Sequence, residues 1–329
     1  MSDLPSFVHI NEEGPREGFQ IEPGPIATAR KIELIDALSQ TGLTHMQIVS
    51  FVNPKAVPGM ADAEQIVAGI TQRPDVAYTA LWLNERGFER AVATRRLDNR
   101  GSLALCASDP FLMRNQNRTP EQQLAGQHRI VEMYKARGIP VERGGIMAAF
   151  GCNFAGDVTV GCVVSLVGQL LDIAAEHGVA LKVISLSDTM AWATPISIKR
   201  VVGAIRDKFP GLDLSLHLHD TRGMGIANAH AGLEMGVARY DSCVGGLGGC
   251  PFADHAGAAG NVCTEDLVFM CQEIGIETGL DLEALIGCAN LAEDIVRHPL
   301  PGSVMKGGSL RRMRNIIGRA LRDKIVSGD

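Results

Sequence analysis

The chain has no Cys-x-x-Cys pair among its eight cysteines, which stand at 106, 152, 162, 243, 250, 263, 271 and 288. That argues against a zinc ribbon or a thioredoxin-like centre, and the spread of the cysteines through apolar segments points to reduced, mostly structural thiols. No uninterrupted apolar run is long enough to cross a bilayer. Residues 1–7 have neither a basic start nor an apolar stretch, so no secretory signal is expected and the protein reads as cytoplasmic. An excess of positive charge is missing too: 31 Lys and Arg against 37 Asp and Glu leave a net charge of -6. A general nucleic-acid binder is normally basic, so neither nucleic acid nor a membrane is an expected partner. A local basic pocket for an anionic ligand stays open.

What is present is enough apolar material for a large core and many tight connections. The 329 residues are 46% hydrophobic and 21% charged, with 37 glycines. Strand-like and helix-like segments alternate along most of this length. Strands are expected near 7–11, 45–49, 76–83, 102–106, 144–149, 181–186, 212–218 and 239–244. Helices are expected over 27–41, 62–70, up to 91, 120–137, 163–174, 195–209, 227–235 and 265–275. Pro120 followed by Glu121 suits a first helical turn, and Val163, Leu166, Val167, Leu170, Leu171 and Ala174 recur at helical spacing. Eight alternations imply parallel strands joined by helical crossovers. A closed (β/α)8 TIM barrel is the reading by count, and barrels of this class run past 250 residues as one domain. Periodicity alone leaves an open doubly wound sheet as the alternative.

The expected division is a barrel over residues 1–275 and a helical appendage over 276–329, built from 282–297 and 309–325 and joined by the Pro- and Gly-rich stretch 299–308. The chain end is basic, with Lys306, Arg311, Arg312, Arg314, Arg319, Arg322 and Lys324. These residues form a solvated helix face, or they meet phosphates of a ligand or a partner subunit.

Barrel active sites lie at the C-terminal ends of the strands, and three ends carry chemistry. The seventh ends in Leu216-His217-Leu218-His219-Asp220-Thr221. Alternate strand residues share a face, so His217 and His219 point the same way and are able to hold one metal ion. The first ends in Glu13-Gly14-Pro15-Arg16-Glu17-Gly18, a tight turn expected to expose Arg16 and Glu17 at the barrel mouth. A carboxylate there would complete a two-histidine, one-carboxylate site; a surface Arg–Glu pair is the plain reading. After the eighth strand, Gly245, Gly246, Gly248 and Gly249 precede Cys250 and Pro251. Such a loop is able to act as a lid over Gly246, Gly248 and Gly249 that carries Cys250, a candidate acid or base, into the site. Asn261 follows just before a helix; it offers a neutral metal ligand or a helix cap.

Taken together these segments resemble the 3-hydroxy-3-methylglutaryl-CoA lyase family, a group of metal-dependent barrel lyases, from about Val8 to Leu291. The strings are Gly-Pro-Arg-Glu-Gly-Phe-Gln (14–20), Ser-Phe-Val-Asn-Pro-Lys (50–55), Ser-Asp-Thr (187–189), His-Leu-His-Asp-Thr (217–221), Gly-Leu-Gly-Gly-Cys-Pro-Phe-Ala (246–253) and Gly-Asn-Val-Cys-Thr-Glu-Asp-Leu-Val (260–268). The resemblance implies Mg2+ or Mn2+ on Glu17, His217, His219 and Asn261. It implies an acyl-CoA substrate, with Gln20, Gln47, Ser50 and Asn290 in its binding, and a homodimer. It further implies that the substrate hydroxyl loses a proton as the carbon–carbon bond breaks to a ketone and an acyl-CoA enolate, that Arg16 stabilises the developing oxyanion, and that Cys250 returns a proton to the enolate.

Three positions depart from the family pattern. Glu17 stands where the family carries Asp, and Gln47 where it carries Glu. The stretch between Cys250 and Asn261 looks slightly longer, with Asp254 and His255, the latter a substitute acid or base. The first two suggest a related 3-hydroxyacyl-CoA rather than 3-hydroxy-3-methylglutaryl-CoA itself. The alternatives are a Claisen-type condensing enzyme on the same barrel, and a non-catalytic barrel that binds a CoA ester.

Overall fold

Eight short strands carry the chain through one curled parallel sheet, seen in a computed structural model that describes residues 4–249 and 259–317. They are β1 (His9–Glu12), β2 (His45–Ser50), β3 (Ala77–Leu81), β4 (Gly101–Cys106), β5 (Val141–Met147), β6 (Val183–Ser187), β7 (Asp213–His217) and β8 (Arg239–Ser242). Their order is β3-β2-β1-β8-β7-β6-β5-β4. Every pairing is parallel, as helical crossovers require. The expected closed barrel is what the chain forms.

Local chemistry starts the helices. Thr119 before Pro120 and Thr194 before Pro195 each make a full capping box, through Gln122 and Ser197, which satisfies backbone donors that a helix start leaves free. On the Val160–Glu176 helix, Val163, Val167, Leu170, Ile173 and Ala174 are the buried stripe facing the sheet. Three α-helical pieces were not anticipated: the Asp109–Gln116 helix, the turn Phe19–Ile21, and Val304–Gly307 within the expected linker. The last is held by Asp266, whose carboxylate accepts from the Ser303 and Val304 N–H groups at 3.0 and 2.7 Å. The Leu282–Val296 helix packs between the Thr28–Leu38 and Thr264–Glu273 helices, and its Leu285, Cys288, Ala289 and Ala292 join the main core. The expected last helix is seen over residues 310–317; its continuation to 325 lies outside the described residues.

The lumen is unusual. Barrels of this size normally fill it with branched apolar side chains. Here the register places Asn11 beside Asp241, Asp241 beside His217, and Ser215 beside Ser185, all on the inward side. Arg143 of β5 donates to Asp241 of β8 at 2.7 Å. Those strands are not neighbours, so that bond crosses the inside of the curl. Gly145 faces the same space: a Cβ there would meet nothing nearer than 3.9 Å. The lumen beneath the strand ends is therefore polar and partly open.

Among the described residues no ladder joins β3 to β4. That seam is bridged by other means. The Asp98 N–H donates to the Tyr78 carbonyl at 2.8 Å, and the Trp82 indole donates to the Tyr134 hydroxyl at 2.6 Å. Phe88 packs edge-on against Tyr134, ring centroids 5.3 Å apart. Phe88 is fully buried, so Phe88→Ala is expected to cost about 3–5 kcal/mol in urea unfolding. Tyr134→Phe, which removes one hydrogen bond and keeps the ring, is expected to cost about 1 kcal/mol.

Candidate metal centre

The turn after β1 is a π-helical turn, Gly14–Gly18, a rare form that recurs at functional sites. The Glu12 carboxylate holds it down. It accepts from the Gly14 N–H at 2.7 Å, the Val244 N–H at 2.9 Å and the Thr264 hydroxyl at 2.6 Å. One buried carboxylate thus ties the turns after β1 and β8 to the following helix. Arg16 and Glu17, expected at an exposed mouth, are instead turned inward, each with only 11% of its side chain accessible. The tight π turn aims them at the ends of β7 and β8.

There they meet the two histidines. The Glu17 carboxylate oxygen Oε1 lies 3.3 Å from His219 Nε2 and 3.6 Å from His217 Nε2, and the imidazole centroids are 5.2 Å apart. Donor atoms of Glu17, His217 and His219 all fall within 4.8 Å of one another. Asn261, on an isolated bridge to His219, places its Nδ2 3.3 Å from His217 Nε2. It does not cap the following helix, whose N-cap is Cys263. Its Oδ1 is buried with no hydrogen-bond partner among the described residues, a state that normally carries a free-energy cost. One carboxylate oxygen and two imidazole nitrogens within reach of one point, beside the amide of Asn261, suit a hard divalent cation such as Mg2+ or Mn2+. The residues fit the ion that the sequence implied.

The electrostatics follow from burial and pairing. Burial pushes against the charge of Glu17, but Arg16, with Nη2 3.0 Å from Oε2, and His217 hold its carboxyl well below the usual range. Burial likewise opposes the charge of His217, yet Glu17 and Asp241 raise it well above an ordinary imidazole. Glu13, paired with Arg16, is raised to about 7 by burial. Burial also raises Asp188 to about 6. Its Oδ1 accepts from the Trp192 and Ala193 N–H groups while Oδ2 has no partner among the described residues.

Glu13, Asp188, Thr189 and Asp241 were not singled out as site residues from sequence. The polar lumen they line left one trace in the sequence: Asp213-Leu214-Ser215-Leu216-His217 alternates polar and apolar, whereas buried parallel strands usually read as continuous apolar runs. Of the other candidates, Ser50 is buried and donates to the Gln20 side chain at 3.1 Å. Gln47 stands inward on β2 with its Oε1 unpartnered among the described residues. Asn290 is exposed on the Leu282–Val296 helix. Gly246 is not part of an open lid. It is buried in a 3-10 turn whose N–H bonds the Cys243 carbonyl at 2.9 Å, and Pro301 leaves no room above it. Gly248 and Gly249 lead on from that turn toward Cys250, which with Asp254 and His255 lies outside the described residues.

Two predictions come from this packing. Gly248 has φ +92, and a Cβ there would stand 2.4 Å from Asn261 Oδ1 and 3.2 Å from Glu17 Cγ. Gly248→Ala is therefore expected to displace ligands and cut turnover about 100-fold with little change in far-UV circular dichroism. Burial raises Glu12 from 4.5 to about 7, so the folded state binds a proton that the unfolded state releases, and stability declines as pH rises through that window. Gln at this position still accepts both N–H groups and donates to Thr264. Glu12→Gln is expected to remove one share of the decline, on the order of 3 kcal/mol, between pH 4.5 and 7 in urea titrations.

The family model described as HMGL-like matches residues 8–292. The human protein named 3-hydroxy-3-methylglutaryl-CoA lyase, cytoplasmic, is 39% identical over 282 residues, covering 86% of this chain and 73% of its own. The Bacillus subtilis hydroxymethylglutaryl-CoA lyase YngG is 36% identical over 297 residues, 90% of this chain and 96% of its own. A solved HMG-CoA lyase from Acenitobacter baumannii, in complex with coenzyme A and 3-methylmalate, superimposes with a TM-score of 0.83 at 38% identity over 94% of this chain and 97% of that one. Divalent-metal dependence is general among such lyases. With the barrel, the strand-end cluster and these relatives in agreement, the chain belongs to the HMGL-like family.

Proposed function

We propose that this protein is a divalent-metal-dependent carbon–carbon lyase that cleaves a 3-hydroxyacyl-CoA thioester of the 3-hydroxy-3-methylglutaryl-CoA type, releasing an acyl-CoA and a keto compound. The observation that carries the reading is the convergence of Glu17, His217 and His219 on one point, with Asn261 Oδ1 left unpaired beside it. Those four residues would hold the ion, which when bound polarises a substrate hydroxyl and carbonyl and eases loss of the hydroxyl proton.

This chain's own groups do the rest. Asp188, with a buried and unpartnered Oδ2, takes the hydroxyl proton. As the carbon–carbon bond breaks, its electron pair passes to the α-carbon of the thioester. Arg16, already fixed by Glu13 and Glu17, faces the oxygen that gains charge. Cys250 supplies the proton that quenches the enolate, giving an acyl-CoA such as acetyl-CoA. Gln20 and Ser50, bonded to each other, and Gln47 line the approach. Glu17 and Gln47 select a relative of 3-hydroxy-3-methylglutaryl-CoA. Glu17 carries one methylene more than the family's Asp, so its carboxylate would reach the ion from a longer stem, and the neutral Gln47 leaves one carboxylate fewer near the acyl group. A homodimer and a cytoplasmic setting complete the reading; among the described residues no helix is long and apolar enough to cross a membrane.

A panel of 3-hydroxyacyl-CoA thioesters, assayed for acyl-CoA release with Mg2+, Mn2+ or chelator, tests this. Metal-dependent cleavage of at least one member is expected, abolished by chelator. His219→Asn should fall more than about 100-fold, since even residues behind the ligands are worth 10–100-fold. No turnover on any thioester by protein that demonstrably binds Mn2+ would overturn the lyase reading.

A further inference from the structure

We propose that Asp241 is the positioning residue for His217, and that Arg143 and Asn11 hold it in place. The inference rests on the metal reading of the site. A histidine that gives Nε2 to an ion must carry its proton on Nδ1, and the acceptor facing that proton fixes both tautomer and ring orientation. His217 turns Nε2 toward Glu17 and Asn261, at 3.6 and 3.3 Å. Its Nδ1 faces Asp241 Oδ2 at 3.4 Å. Glu13 is the other carboxylate in reach, but at 3.8 Å, and it is engaged by Arg16.

Asp241 is itself pinned from two sides. Its Oδ1 accepts from Asn11 Nδ2 at 3.0 Å and its Oδ2 from Arg143 Nη2 at 2.7 Å. Arg143 also reaches the Ser185 hydroxyl at 3.3 Å. Asp241 is 3% exposed, so no solvent molecule substitutes readily for these partners. The chain of contacts runs Asn11 and Arg143 to Asp241, then to His217, then to the ligand cluster, and it spans the lumen from β5 to β8. His219 is arranged differently. Its Nδ1 faces the Thr189 backbone carbonyl at 2.8 Å, which no side-chain substitution removes. The two imidazoles therefore differ: one is oriented by main chain, the other by a carboxylate that mutation is able to reach.

The test is Mn2+ binding to the full-length protein without substrate, followed by electron paramagnetic resonance of free Mn2+. Asp241→Asn keeps the shape but places an amide donor against His217 or Arg143, and drives His217 toward the tautomer with its proton on Nε2. The expected result is a Mn2+ Kd raised 10- to 100-fold, with a smaller rise for Arg143→Gln and an unchanged far-UV spectrum. A Kd within twofold of wild type for Asp241→Asn, while His217→Asn and His219→Asn lose binding, would overturn the positioning role and leave the metal site standing. Unchanged binding in His217→Asn and His219→Asn would overturn both. Should Asp241→Asn fail to fold, nitrogen-15 spectra of wild-type histidines in the Mg2+-saturated protein decide the matter. A His217 resonance showing protonated Nδ1 and bare Nε2, identified by its loss in His217→Asn, supports the role; the opposite tautomer overturns it.

Discussion

The structure depends on balancing five charged or titrating groups inside a barrel. Glu13, Glu17 and Asp241 face Arg16 and Arg143 across a space that water enters poorly, and His217 stands between them. An isolated carboxylate or guanidinium carried to such depth would cost several kcal/mol. Each is tolerated because an opposite charge lies within bonding distance, Glu13 and Glu17 against Arg16 on the turn after β1, and Asp241 against Arg143 across the lumen. The pairings connect β1, β5, β7 and β8, so the strands' relative heights are set by electrostatics as well as by backbone ladders. The price is sensitivity, since loss of any single partner leaves a charge stranded.

That arrangement explains why the lumen departs from its usual apolar filling. A divalent ion adds two positive charges, and the surplus of carboxylate over guanidinium beneath the strand ends is the counterweight. Glu12 belongs to a separate circuit. Among the described residues it contacts no cation; its three donors are two backbone N–H groups and a hydroxyl. It shapes the turns on which Arg16 and Glu17 ride, and so converts hydrogen bonding at the rim into ligand placement at the centre.

Much of this was legible in the sequence. The eight alternations gave a barrel because parallel strands need crossovers, and His217-Leu218-His219 declared a shared face by its spacing of two. For Asn261 the sequence left two readings, ligand or helix cap, because an amide before a helix suits either; the structure places the cap at Cys263 instead. What escaped was whatever depends on distant strands meeting. Asp241 sits in Tyr-Asp-Ser with nothing local to mark it, and Arg143 lies nearly a hundred residues away. Only the register of a closed curl brings them together. The inward turn of Arg16 and Glu17 escaped for a different reason: Gly-Pro signals a tight turn but not a π-helical one, and the two send a side chain in opposite directions. Gly246 misled in the same manner, since glycine-rich sequence suggests motion, whereas here positive φ serves close packing under Pro301.

The unladdered boundary between β3 and β4 acquires meaning from where it falls. In the strand order β3-β2-β1-β8-β7-β6-β5-β4 it lies diametrically opposite the β8–β7 junction. The wall held by an indole, a phenol and one main-chain bond thus stands across the cylinder from the strand ends that bring Glu17, His217 and His219 together. Thermal breathing of the cylinder will concentrate at its weakest line. The barrel is thus built like a split ring with its gap turned away from the stone: it flexes along the cut, across the cylinder from the setting.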